Sequence, residues 1–111
     1  MAFYMLQGRY THDAIHNLIT KPEDRSKAAT SVVKAAGGKL HNYFMSLGEY
    51  DFVALMEFPD DQAAVATSMA VAAGGHVSGM RTTKLLTPAE AMKCMELAGS
   101  ASKSLPIPKG K

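Results

Sequence analysis

Residues Leu47-Gly48-Glu49-Tyr50-Asp51-Phe52-Val53-Ala54-Leu55-Met56-Glu57-Phe58 constrain the fold more than any other stretch. They read as a tight turn at Gly48 feeding a long apolar strand. The preceding segment, Lys39 to Leu47, is also strand-like, so the two form a hairpin. The hairpin specifies a kind of sheet and names no reaction.

The flanking elements follow from local signals. Ala2 to Tyr10 is rich in aromatic and large apolar residues and reads as strand one. Thr11 can cap a short helical turn over His12 to Ile19. Pro22 suits the first position of a longer helix running to about Ala36, with a narrow apolar stripe at Ala28, Ala29, Val32, Val33, Ala35 and Ala36. Pro59-Asp60-Asp61 stops strand three and caps a second helix of small residues, Gln62 to Ala73. His76 to Leu86 is strand four. Thr87-Pro88-Ala89-Glu90 is a capping box that opens a terminal helix, Pro88 to Ala98, closed by Gly99. Ser100 to Lys111 reads as a flexible tail. The domain is therefore placed at 1–99 and the tail at 100–111.

One tetrapeptide occurs twice, as Ala35-Ala36-Gly37-Gly38 and Ala72-Ala73-Gly74-Gly75. Each copy ends a helix and opens a strand, with glycine available for the left-handed residue past the helix. The order is β-α-β twice over, an α+β, ferredoxin-like βαββαβ arrangement. Right-handed crossovers place strands one and three in the centre of a four-stranded antiparallel sheet, with two and four at the edges.

Bulk properties narrow the function classes. A chain of 111 residues forms one domain and buries about 60–70% of its unfolded surface, so a core needs no staples. A net charge of +2 is too small for an electrostatic nucleic-acid footprint. The lone Cys94 has no disulfide partner and suits a reducing compartment. The N-terminus lacks the basic region of a signal peptide, and no stretch approaches the ~18 apolar residues of a membrane helix. The expectation is a cytoplasmic protein with neither nucleic-acid nor membrane partners.

Two helices cover only one face of such a sheet. Alternate residues of strand three put Tyr50, Phe52, Ala54, Met56 and Phe58 on one side and Asp51, Val53, Leu55 and Glu57 on the other. Strand one puts Tyr4, Leu6, Gly8 and Tyr10 against Phe3, Met5, Gln7 and Arg9. Both sides carry large apolar groups, whereas a solvated side would alternate cleanly with polar residues. An exposed apolar face marks an interface, and a second copy packing sheet to sheet covers it with two-fold symmetry. The face with Met5, Val53 and Leu55 is assigned to the partner. The expected assembly is a homodimer.

Gly48, Tyr50 and Asp51 resemble the motif that names the GYD-domain family. The order around it is similar too: strand one running into Thr11, Arg25 in the first helix, Ala36-Gly37-Gly38-Lys39-Leu40, the hairpin, Pro59-Asp60-Asp61, and Thr82-Thr83 in the closing strand. The resemblance spans roughly residues 3 to 86. It implies a dimeric α+β barrel, a superfamily that includes cofactor-free monooxygenases, heme-handling enzymes and ligand-binding modules of leucine-responsive-type regulators. It transfers no catalytic assignment to any position. Met45, Met56 and the terminal helix beyond Thr87 lie outside its pattern.

Candidate chemistry is sparse. His12 and His16 stand at i, i+4, a metal-binding spacing on a helix, but Asp13 replaces the glutamate of zincin-type sites and no third ligand is obvious, with His41 and His76 as unforced alternatives. They read as surface histidines, and no metal is expected. Asp51 is either a polar anchor in a cavity or the acceptor for backbone N–H groups of the Gly48 turn. Arg81 pairs with an acidic ligand or with Asp51, or protects an edge strand, as Lys39 and His41 do on strand two. The eight methionines read as packing. No phosphate loop, dinucleotide fingerprint or Ser-His-Asp order is present, so no cofactor is expected. The expected function is binding of a small molecule in an apolar cavity, with Tyr10, His12, Tyr50, Asp51 and Arg81 as candidate contacts. A cofactor-independent monooxygenase or isomerase using that cavity, and a structural assembly protein without a ligand, are the alternatives.

Overall fold

Period-two alternation along two strands organises the molecule. The computed structural model describes residues 1–108 and 110. Its elements are β1 (Ala2–Tyr10), α1 (His12–Thr20), α2 (Ser26–Ala35), β2 (Lys39–Met45), β3 (Phe52–Phe58), α3 (Asp61–Ala73), β4 (Val77–Leu85) and α4 (Pro88–Ser102). The sheet runs β2-β3-β1-β4, antiparallel throughout, with the two apolar strands central as the sequence predicts. The fold is α+β and ferredoxin-like. Tyr4, Leu6 and Tyr10 of β1 and Phe52, Ala54, Met56 and Phe58 of β3 are buried together on one face. Ala14, Val33 and Ala64 bring α1, α2 and α3 down onto that face.

Among the described residues, no helix lies over the centre of the other face of the sheet. Phe3, Met5, Val53, Leu55 and Leu85 lie there, only partly buried. At its rim the His41 imidazole meets the Glu57 carboxylate at 2.6 Å and lies beside the Phe3 ring.

A bulge in β2 decides which of its side chains face inward. Leu40 pairs with Met56, yet Asn42 pairs with Leu55, so His41 is the extra residue. Past it the alternation inverts. Tyr43 turns in beside Ala54, and Phe44 turns out beside Val53 and is 55% exposed.

Of the boundaries that differ from the sequence reading, three have a local physical reason. The helix expected from Pro22 begins at Ser26. The Asp24 carboxylate accepts from the Ser26 N–H at 2.9 Å and from its hydroxyl at 2.6 Å, and such a local bond competes with helix over Pro22 to Asp24. Strand two ends at Met45 rather than Leu47, because the Ser46 N–H already closes on the Asp51 carbonyl at 2.8 Å. The terminal helix passes through Gly99 to Ser102 instead of stopping at Ala98. Gly99 does not adopt the left-handed conformation that ends helices; inside a helix it costs only about 1 kcal/mol relative to alanine. Positions 109 and 111 of the expected tail lie outside the described residues.

The capping box of α4 forms as its residues predict. Thr87 Oγ1 accepts from the Glu90 N–H at 3.2 Å, and Glu90 Oε1 accepts from the Thr87 N–H at 2.9 Å. Yet no residue of α4 is buried, and Met92, Met95 and Leu97 are exposed. The radius of gyration is 18.6 Å and the long axis 64 Å, where a rounded chain of this length would have a radius near ~13 Å. Among the described residues, no helix is long and apolar enough to cross a membrane.

Candidate functional site

Large residues on the sheet face small residues on the helices, and the mismatch leaves a cavity. Leu6, Phe52, Ala54 and Met56 form its floor; Ala28, Ala29, Val32 and Val33 of α2 form one wall; Thr67, Ala70 and Val71 of α3 form the other. Its volume is about 200 Å³. It opens to solvent between α2 and α3, where Ala28 and Ala70 are exposed. The lining is mainly apolar, with a few polar groups at one end, as ligand sites usually are.

Two tyrosines occupy that polar end. Tyr10 is the last residue of β1, and Tyr43 reaches it because of the bulge. Their hydroxyls hydrogen-bond each other. Both rings pack on Phe52, Tyr43 stacked at 5.5 Å and Tyr10 tilted at 5.3 Å. Burial raises the pKa of Tyr43 well above the usual phenol value, and the bond to Tyr10 adds to the rise. The nearby Arg25 charge acts in the opposite direction. Tyr43 is therefore a neutral phenol at physiological pH, able to donate or accept a hydrogen bond but not to act as an anionic base.

Beyond the tyrosines lies a second, more polar chamber of about 100 Å³, lined by Tyr10, Ala14, Asn17, Leu18, Glu23, Arg25 and His76. Tyr10, Arg25 and His76 line both chambers. Arg25 sits where the Pro22–Asp24 link meets α2, its side chain 28% exposed. Its one ionic partner among the described residues is Glu23, at 3.5 Å. His76 is placed by the α3–β4 turn, where its carbonyl accepts from the Thr11 N–H at 2.9 Å.

Of the five candidates from sequence, Tyr10 lines the cavity and the other four lie outside it. His12 is on the outer side of α1, 97% exposed, with Asp13 at 3.8 Å. The Tyr50 ring lies under the Arg9 guanidinium at 5.3 Å, which itself bonds the Glu49 carbonyl at 2.8 Å. Asp51 accepts a backbone N–H at 2.9 Å, that of Tyr10 across the strands rather than one of the Gly48 turn. It thereby fixes the backbone that carries the Tyr10 ring. Arg81 stands opposite Gln7 on the open face, away from Asp51. Sequence reasoning missed Tyr43 and His76 as cavity residues and read Arg25 only as part of the family pattern. Among the described residues, no group of three or more His, Cys, Asp or Glu is placed to hold a metal ion.

Comparison with known proteins matches this architecture. The GYD domain model fits residues 4–95. The protein TTHA0845 from Thermus thermophilus superimposes with a TM-score of 0.51 at 15% identity, over 78% of this chain and 95% of that one. The Neisseria meningitidis transcriptional regulator NMB0573, solved in complex with L-Met, gives 0.51 at 14% identity over 78% of this chain and 51% of that one. At these identities the likeness is one of fold. No curated protein sequence matches the chain.

Proposed function

The chain belongs to the GYD domain family, and from that premise we propose that it is a homodimeric small-molecule-binding protein whose ligand occupies the cavity between helices and sheet. The observation that carries the reading is the cavity itself. Phe52 and Met56 line it rather than fill it, Phe44 lies outside it, and four polar side chains, Tyr10, Tyr43, Arg25 and His76, gather at one end. A purely structural module would gain stability by closing such a space. The regulator of like fold solved with L-Met supports the reading at the level of fold.

The dimer reading rests on the open sheet face. Phe3, Met5, Val53 and Leu55 form an apolar strip across its two central strands, and a second copy packed on that strip removes it from water. Native mass spectrometry of the purified protein tests both readings, since it reports subunit number and any retained mass together. A dimer carrying a small additional mass is expected. A well-populated monomer at micromolar concentration refutes the assembly. Undiminished binding of a small apolar compound by Ala29→Met, which extends a half-buried wall residue into the cavity, refutes the site.

A further inference from the structure

We propose that the ligand is a small monocarboxylate with an apolar body: its carboxylate sits on Arg25 where the two chambers meet, and its body lies over Phe52 and Met56. This rests on the cavity reading above and narrows it to a chemical class. The larger chamber is mainly apolar and about 200 Å³, while the smaller, about 100 Å³, carries Asn17, Glu23, Arg25 and His76. The pair fits one amphiphilic molecule with its polar end at the junction. Among the described residues, Arg25 supplies the one permanent cation lining either chamber. Its planar fork matches a carboxylate through two parallel N–H···O bonds.

Glu23 makes the choice of a singly charged anion specific. It holds Arg25 only through a 3.5 Å contact and is itself 57% exposed. Such a pair contributes little, so a ligand carboxylate exchanges for Glu23 at small cost. A dianion such as a phosphate monoester would face Glu23 with only one arginine to balance it. Tyr10 lines both chambers together with Arg25, and Tyr43, bonded to it, feels the Arg25 charge. There they can bond the second carboxylate oxygen or a polar atom next to it.

The test is isothermal titration calorimetry with matched probes: hexanoate and phenylacetate against 1-hexanol and 2-phenylethanol. The wild-type protein is expected to bind each carboxylate about tenfold or more tighter than the matching alcohol. Arg25→Gln lowers carboxylate affinity more than alcohol affinity and so removes that preference, since the charge pairing is lost. Glu23→Gln strengthens carboxylate binding about two- to threefold, the size of a surface ion pair. Arg25→Lys, which keeps the charge and loses the fork, falls between and covers the case in which Arg25→Gln does not fold. Equal affinity for alcohol and acid in the wild type overturns the proposed class and leaves the cavity reading standing. A preference unchanged in both Arg25 variants overturns the anchor. Carboxylate-selective binding that survives Ala29→Met places the ligand elsewhere and overturns the cavity reading with the proposal. No binding of any probe at millimolar concentration overturns both.

Discussion

Truncating one of the paired tyrosines tests whether their hydrogen bond is a closed unit. In Tyr43→Phe the Tyr10 hydroxyl loses its partner on a side chain only 7% exposed. Leaving a buried polar group unpaired costs about 1–3 kcal/mol. In Tyr10→Phe the orphan is Tyr43, which is half-buried, so water can reach it and the expected cost falls to about 0.5–1 kcal/mol. The double variant leaves no orphan, and both phenyl rings keep their packing on Phe52. Its stability is expected within about 1 kcal/mol of wild type, because replacing both partners by apolar groups is nearly neutral. With the double variant near neutral, the cycle then gives a coupling of about 1.5–4 kcal/mol, the sum of the two single costs. Urea unfolding followed by circular dichroism, at one fixed protein concentration because assembly shifts apparent stability, reads these differences. Additive single effects, or a Tyr10→Phe cost larger than that of Tyr43→Phe, would refute the reasoning.

Gly38→Ala is expected to destabilise by about 1–3 kcal/mol, measured as a lowered denaturant midpoint: an added Cβ would lie 2.5 Å from the Glu57 carbonyl oxygen and from the Phe58 ring. Asp51→Ala removes the acceptor for the Tyr10 N–H at 2.9 Å and is expected to cost about 1–2 kcal/mol, with hydrogen exchange at the Tyr10 amide rising more than at Leu6. Asp24, Asp61 and Glu90 all have lowered pKa values, through hydrogen bonds from Ser26, from Lys84 and Tyr4, and from Thr87 respectively. Their contribution is full above the unfolded carboxylate range of about 3.9–4.3 and is lost as pH falls through their lower folded values. Tyr43 has the opposite sign: its raised pKa adds stability that is full below about pH 10 and declines above it. Urea midpoints across pH should therefore fall at both ends, and Tyr43→Phe should lessen the alkaline fall only, since Tyr4 and Lys84, whose pKa values are also raised, still titrate there.

Elements were legible in the sequence wherever the signal was local. The Thr87–Glu90 capping box lies within four residues, and the central strands declare themselves by alternation. Pro22 misled because the stronger Asp24–Ser26 bond, two residues on, starts α2 instead. The site was less legible for a topological reason. Tyr10 follows the inward phase of β1 without interruption, so alternation finds it. Tyr43 has the outward phase if β2 is counted straight from Lys39. Only the bulge at His41, set by pairing with β3, turns it inward. Arg25 and His76 sit in a helix cap and a turn, where no periodicity assigns a direction. Tyr50 and Asp51 drew attention as a polar pair in an apolar hairpin. One packs under Arg9 and the other holds the Tyr10 backbone.

The tyrosine pair has an optical consequence. The chain has four tyrosines and no tryptophan, so its intrinsic emission comes from phenols alone, with no indole to absorb or outshine it. Two of those four emitters, Tyr10 and Tyr43, line the cavity, both packed against the Phe52 ring and bonded hydroxyl to hydroxyl. An occupant that takes over either hydroxyl changes the environment of half the fluorophores at once. The protein thus carries an unlabelled reporter at the place where occupancy is in question.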